Sequence, residues 1–244
     1  MKREHRKQIK RDELVTGVER GAAWVRLHRQ EVRATAIAVA ILVVLVVGFI
    51  TFQGRRKAAA EKAFAAAFDT FHAPVAAELP PGADKPANLE FATAAEKYQR
   101  AAAAFDGVER RYGSLPAGRR ARYYAALCRI EMGDYAEAEK ALDRVVAEAD
   151  RSSLESALAR VALADLHRRK GETDKAVAAY RQLVDDAALA VPRDHVLMSL
   201  ASTLEEARRA KEARASYRRL TEEFPESVFL PEARRRADDL QTAG

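Results

Sequence analysis

The side chains that most often carry metal or acid–base chemistry are scattered along this sequence. Five histidines occur, and none is spaced from another histidine or from the one cysteine as zinc ligands are. They are His5, His28, His72, His167 and His195. The glycines form no phosphate-binding loop, and no G-x-S-x-G nucleophile turn is present. We therefore predict a protein without a metal site, a cofactor or enzymatic activity.

Cys128 and the paired acidic residues have structural interpretations. Cys128 lies in the apolar stretch AALCRIEM with no activating base nearby, which favours a buried structural thiol over a nucleophile. Adjacent acids point apart on a helix, so three such pairs indicate solvated surface rather than a general acid and base. The pairs are Asp185 and Asp186, Glu205 and Glu206, and Asp238 and Asp239.

The composition favours helices and protein partners. Ala, Leu, Arg and Glu are abundant, and these residues lose little free energy on entering a helix. Hydrophobic residues make up 48% and charged residues 32% of the chain, which argues against disorder. The net charge of +6 does not indicate nucleic-acid binding, because basic residues alternate with acids and no DNA- or RNA-binding motif is present. We expect neither a nucleic-acid partner nor a small-molecule substrate.

The most apolar element is the uncharged run at 34–52. Its length is close to the roughly 20 residues that cross a bilayer. A cleaved signal has an apolar core of about 7–15 residues near the N-terminus. This run is longer, follows a polar leader at 1–33, and precedes a basic triplet rather than a small-residue cleavage site. We therefore predict that 34–52 is a retained transmembrane helix in contact with membrane lipid.

Both flanks of this run are basic, which leaves two orientations open. The leader 1–33 carries ten Lys and Arg residues, and Arg55, Arg56, Lys57 and Lys62 follow the run. Lys and Arg in short segments concentrate on the cytoplasmic side. We expect a bacterial inner-membrane protein with a cytoplasmic leader and a periplasmic C-terminal domain. A cytoplasm-facing assembly or regulatory subunit is the alternative.

Beyond the run, two segments lead to the C-terminal domain. The stretch KAAAEKAFAAAFDTFH places Phe64, Phe68 and Phe71 on one stripe and predicts a juxtamembrane helix at 53–73. Four prolines and a glycine then predict a linker at 74–88.

From 89 to 240 a helical pattern repeats. The stretches GDYAEAEKALDRVV, GETDKAVAAYRQLV and RAKEARASYRRLTEEFP each have Ala, a large residue four positions later and an apolar residue three further on. The period is a little longer than the tetratricopeptide period of about 34 residues and predicts an all-α solenoid of stacked helical hairpins. The repeated positions are Ala138, Leu142 and Val145; Ala176, Tyr180 and Leu183; and Ala213, Tyr217 and Leu220.

Turn residues support these hairpins. Gly133 and Gly171 stand where the first helix of a pair must turn into the second, while the third unit has RRAKE at this place. The stretch AEKYQRAAAAFDGVERRYG predicts a degenerate first repeat, and FLPEARRRADDL predicts a capping helix with Pro231 in its first turn.

The units resemble tetratricopeptide repeats, as GDYAEAEKAL shows, although Arg122 stands where an aromatic residue is common. The layout of basic leader, single anchor and repeats resembles a family of bacterial inner-membrane proteins that includes the ancillary subunit of the SecYEG translocon. This resemblance implies a role near the translocon, with handover of secreted proteins to periplasmic chaperones. Related tetratricopeptide proteins coordinate envelope constriction, so a coordinator of envelope or cell division is a further alternative.

The predicted function is protein binding by the concave face, which the first helix of each pair lines. Apolar groups beside Arg and Asp suit an extended or helical peptide, with its carboxylates bound by guanidinium groups. The candidate residues are Arg120, Tyr123, Leu127, Leu158, Val161, Asp165, Arg168, His195, Met198 and Ser202.

Overall fold

A computed structural model describes Trp24 and residues 27–78 and 91–242. Within these residues the chain is helical, apart from loops and one isolated parallel β-bridge between Val75 and Phe91. The predicted all-α fold with tetratricopeptide-like hairpins is confirmed. The helices are α1 (Arg29–Phe71), α2 (Ala94–Tyr112), α3 (Pro116–Glu131), α4 (Tyr135–Glu148), α5 (Leu154–Arg169), α6 (Thr173–Val184), α7 (Arg193–Glu206), α8 (Ala210–Glu223) and α9 (Leu230–Thr242), with a short 3-10 helix at Ala76–Glu78.

The chain divides into two compact units, Met1–Arg56 and Lys57–Gly244. The first unit contains the apolar part of α1. The most apolar 18-residue stretch of this helix has a mean hydropathy of 2.8, and none of its residues is buried. In the described part of the chain, α1 is the one helix that is long and apolar enough to cross a membrane. Most of the predicted leader 1–33 and of the linker 74–88 lies outside the described residues.

The second unit is a stack of helices in chain order. From α2 to α9, each helix packs against the next, and α3–α4, α5–α6 and α7–α8 form the predicted hairpins. The repeated alanines Ala138, Ala176 and Ala213 are fully buried, because a small side chain lets two helices approach closely. The large residues that follow them fill the space beyond and are buried as well. The triplet spacing therefore marks the core face of α4, α6 and α8.

The end of α1 packs beside α2 and α3 in one apolar cluster. Ala101, Phe105 and Val108 of α2 repeat the spacing of the later core triplets, and all three are buried. The ring of Phe64 in α1 lies 5.7 Å from that of Phe105 and 5.6 Å from that of Tyr124 in α3. The repeat domain is predicted to begin at 89, and the compact unit that contains it begins at Lys57. The difference arises because α2 and α3 cover the phenylalanine stripe of α1.

The turns inside the three hairpins share one geometry. Gly133 and Gly171, which are predicted to be turn residues, have φ of 78° and 74°, in the left-handed region that favours glycine. Arg208 occupies the same place in the third hairpin, with a φ of 59°. In each turn this residue donates its N–H three residues back, and the next residue donates five residues back, as in a Schellman motif. The RRAKE turn therefore adopts the glycine geometry without a glycine.

Arg122 joins three helices. Its side chain is 5% exposed, and its Nε donates to Glu109 of α2 at 2.8 Å. Its Nη1 donates to Glu148 at the end of α4. Burial alone would lower the pKa of Arg122, but Glu148 and Glu109 outweigh that effect and raise it. The departure from an aromatic residue at this position thus places a paired charge in the interior.

Candidate functional site

A groove of about 360 Å³ crosses the first helices of three successive hairpins, α3, α5 and α7. It brings together seven of the ten candidate residues from the sequence. Their spacing explains this, because equivalent positions on stacked helices recur at the repeat period and face the same side. The seven are Tyr123, Leu127, Leu158, Val161, Asp165, Arg168 and His195.

The floor of the groove is apolar. Tyr123, Leu127, Leu158 and Val161 are each half-buried, so part of every side chain faces solvent. Such an apolar concavity stabilises a bound chain by removing apolar surface from water. The floor can therefore accept aliphatic or aromatic side chains.

One carboxylate is fixed beside this floor. Asp165 accepts a hydrogen bond from the hydroxyl of Tyr180, a residue of α6 that is fully buried. Burial, followed by the charge of Asp165, raises the pKa of Tyr180 well above its ordinary range. Burial together with Tyr124 and Asp165 raises the pKa of Tyr123 to about 12. Both phenols therefore stay protonated at neutral pH, and Tyr180 holds Asp165 as a hydrogen-bond donor.

The guanidinium groups of the groove are engaged by the chain's own carboxylates. Arg169 Nη2 donates to Glu131 Oε1 at 2.9 Å. Arg168 Nη1 lies 3.5 Å from Glu206. Burial would lower the pKa of Arg168, but Glu206, Tyr180 and Asp165 outweigh it and raise the pKa. Neither guanidinium stands as an open receptor for a ligand's carboxylate.

A second depression, of about 380 Å³, adjoins the groove and holds two more candidates, Met198 and Ser202. The contact between Arg168 and Glu206 joins the two, since Arg168 lines the groove and Glu206 the depression. The other lining residues are Glu205, Glu206, Tyr217, Glu232 and Arg236.

The charged residues of this depression form a connected set. Glu205 accepts from the Tyr217 hydroxyl at 2.8 Å and from Arg236 at 3.0 Å. Burial is the first cause that raises the pKa of Tyr217 to about 12. Arg236 also donates to Glu232 at 2.9 Å.

Two of the candidate residues, Arg120 and His195, lie away from the centre of the groove. Arg120 lies outside both concavities: its guanidinium stands 4.7 Å from the ring centre of Phe64 and donates to Glu61 of α1. The exposed His195 lies at the edge of the groove, with its ring 5.8 Å from that of Phe229.

The ten candidate residues leave out six charged residues of the two concavities, and three of the six share a simple spacing. Glu131, Arg169 and Glu206 each follow a candidate residue by four positions, so they lie on the same helix face. That spacing was available in the sequence as a signal. The pairing of these charges could not be read from the sequence, because their partners lie on other hairpins.

The structure also places the potential metal ligands and the one thiol of the chain. In the described part of the chain, no group of three His, Cys, Asp or Glu residues could hold a metal ion. Cys128 is fully buried, and burial raises the pKa of its thiol to about 12. The thiol is therefore protonated at neutral pH and enclosed by the core.

Comparison with known proteins identifies the repeat type. A family model described as tetratricopeptide repeat-like domain matches residues 27–241. The chain belongs to this family. Tetratricopeptide repeat-like domains are typically scaffolds for protein–protein interaction rather than catalysts.

Two solved structures share the fold. Two crystal structures of tetratricopeptide-like repeats from a Podosopora anserina protein, assigned as a kinesin light chain, are 16% identical, with a TM-score of 0.51. Each match covers 61% of this tetratricopeptide repeat-like chain and 79% of the other. A tetratricopeptide protein of Thermus thermophilus is 19% identical over 60% of this chain and 92% of its own, with a TM-score of 0.30. No curated protein matches the sequence.

Proposed function

We propose that this chain is a membrane-anchored scaffold that binds segments of other proteins in the groove across α3, α5 and α7. The observation that carries this proposal is the partly exposed apolar floor formed by Tyr123, Leu127, Leu158 and Val161. The floor lies in one concavity shared by three helices, so it is a continuous apolar surface suited to a partner.

Site-directed photocrosslinking tests the groove. A photoreactive phenylalanine at Val161 places the probe on the groove floor, and the same residue at Ala178, exposed on α6, provides the matched control. We expect protein adducts from position 161 and few from position 178. A second substitution, Leu158→Lys, should reduce the adducts because it places a charge on the apolar floor. Equal adducts at both positions, unaffected by Leu158→Lys, would contradict the groove assignment.

The anchor is the second part of the proposal. The exposed apolar face of α1 and the family match that begins at residue 27 support retention of 34–52 as a transmembrane helix. Carbonate extraction and an intact-mass measurement of the membrane-bound chain test it. We expect the full-length mass in the membrane pellet, whereas a shortened soluble chain would indicate a cleaved signal.

We propose that the N-terminus lies in the cytoplasm and the repeat domain in the periplasm of a bacterial inner membrane. The ten Lys and Arg residues of 1–33, against four at 55–62, support this orientation. Alkaline phosphatase fused to the C-terminus is active only outside the cytoplasm, so we expect an active fusion. A well-expressed but inactive fusion would favour the cytoplasm-facing alternative.

The proposed setting is the secretion machinery. The layout of leader, anchor and repeats resembles the ancillary subunit of the SecYEG translocon, which supports a role in handover to periplasmic chaperones. Crosslinking followed by gentle solubilisation and affinity purification tests this setting. We expect translocon subunits in the eluate, and their absence at full recovery of the anchored chain would contradict it.

A further inference from the structure

The lining of the two adjoining concavities has an excess of negative charge. It carries five carboxylates and three guanidinium groups, although the whole chain has a net charge of +6. The acids are Glu131, Asp165, Glu205, Glu206 and Glu232, and the bases are Arg168, Arg169 and Arg236. The surface available to a partner is therefore opposite in sign to the chain as a whole.

Two of the three guanidinium groups are bonded to three of the five carboxylates. Arg169 is bonded to Glu131, and Arg236 bonds both Glu205 and Glu232. Each bond joins two groups of this chain, so a ligand carboxylate would have to displace an internal partner. This differs from the sequence-based expectation that guanidinium groups bind the ligand's carboxylates.

The two remaining carboxylates, Asp165 and Glu206, share a single guanidinium, that of Arg168, and therefore keep an excess of negative charge. Asp165 accepts a hydrogen bond from the neutral hydroxyl of Tyr180, which positions the carboxylate without neutralising it. The Glu206 side chain is 60% exposed and lies 3.5 Å from Arg168, a long contact for an ion pair. Asp165 lines the groove beside the apolar floor, and Glu206 lines the adjoining depression.

We propose that the groove selects polypeptide segments in which aliphatic or aromatic side chains stand next to lysine or arginine. The apolar side chains of the bound segment pack on Leu158 and Val161. Its lysine or arginine forms ion pairs with Asp165 and Glu206. This inference rests on the proposed function and adds the charge of the partner. Complementary charge across a partly exposed interface favours one partner over another more than it raises affinity in general.

Three short synthetic peptides test the selection. They share the same leucine, valine and phenylalanine content and carry lysine, glutamine or glutamate at their polar positions. Their binding to the full chain in detergent micelles is measured by fluorescence anisotropy. We expect the lysine peptide to bind roughly tenfold more tightly than the glutamine peptide and the glutamate peptide to bind most weakly. Added salt should reduce these differences.

Variants assign the effect to the groove. Glu206→Gln and Asp165→Asn should each reduce the preference for lysine over glutamine. Glu222→Gln removes the same charge from an exposed position on α8 outside both concavities and should leave the preference unchanged. Far-UV circular dichroism checks that every variant is folded.

The outcomes separate this inference from the proposed function. Tightest binding of the glutamate peptide, abolished by Leu158→Lys, would overturn the selection for cations and retain the groove as the binding surface. Equal affinity for all three peptides would have the same meaning. Absence of binding by all three would contradict both the selection and the groove assignment.

Discussion

The Tyr180 hydroxyl donates a hydrogen bond to Asp165 across the α5–α6 hairpin, from a fully buried ring to a half-buried carboxylate. The bond connects the core of the hairpin to the groove. Tyr180 belongs to the repeated core triplet, while Asp165 belongs to the concave face. One side chain thus contributes to both stability and the shape of the candidate site.

Tyr180→Phe should remove this hydrogen bond while retaining the buried ring. We expect the free energy of unfolding to fall by about 2 kcal/mol, because a hydrogen bond to a charged group typically contributes this much to stability. Urea unfolding of the full chain in detergent, followed by circular dichroism, measures it. Tyr135→Phe is the control, because the Tyr135 hydroxyl forms no hydrogen bond within the described residues. An equal loss in both variants would contradict this role for the bond.

The left-handed turns predict opposite effects at equivalent positions. Arg208→Gly should stabilise the chain by about 1 kcal/mol, because a non-glycine residue at positive φ carries backbone strain. Gly133→Ala and Gly171→Ala should each destabilise it by about 1 kcal/mol. A Cβ at either glycine meets no atom within 4 Å, so the cost is conformational rather than steric. Unfolding midpoints compare the three variants, and destabilisation by Arg208→Gly would refute the explanation.

The ion pairs of Arg122 predict that removing the two carboxylates lowers stability more than replacing the guanidinium. Glu109→Gln combined with Glu148→Gln leaves a buried guanidinium without its charged partners and should cost about 3 kcal/mol. Arg122→Met replaces the buried charge with an apolar group of similar length. Both carboxylates then keep Arg144 as a partner, 3.4 Å from Glu109 and 3.8 Å from Glu148, so stability should change by less than about 1 kcal/mol. Chemical denaturation gives both values. A larger loss for Arg122→Met would show that the ion pair itself stabilises the fold.

The two exposed ion pairs of Glu212, one of which joins two hairpins, predict a loss of stability in acid. Arg209 and Arg181 lower the pKa of Glu212 from 4.5 to about 2. Because the folded pKa is depressed, this contribution is present above pH 4.5 and is lost as the pH falls towards 2. Glu212→Gln should reduce the decline in that window, and Glu222→Gln should not. Unfolding at several pH values tests this, and identical pH profiles would rule it out.

The contacts of α1 predict where the folded unit must begin. A fragment starting at residue 57 should unfold cooperatively, whereas one starting at residue 89 lacks Phe64, Phe68 and Phe71, which pack beside Phe105 and Tyr124. We expect a lower unfolding midpoint for the shorter fragment. Equal midpoints in thermal scans would place the boundary at the linker instead.

Much of the fold was predictable because its determinants are local. The core triplets, the turn glycines and the stripe Phe64, Phe68 and Phe71 follow from helix periodicity and turn geometry alone. The concave face was predictable for the same reason, since one face of each first helix recurs with the repeat. The packing of α1 beside α2 and α3 was not predictable, because the linker separates α1 from these helices and interrupts the repeat period.

The sequence by itself determined the apolar run, the repeat period and the residues that face the groove, since each depends on neighbours within a few turns of one helix. Only the tertiary structure decided how charges are paired: Arg122 with Glu109 and Glu148, and Arg168 with Glu206. It also placed Arg208 in the left-handed backbone conformation that glycine usually adopts. These outcomes depend on how separate hairpins stack, because an ion pair or a strained turn is stabilised by contacts distant in sequence.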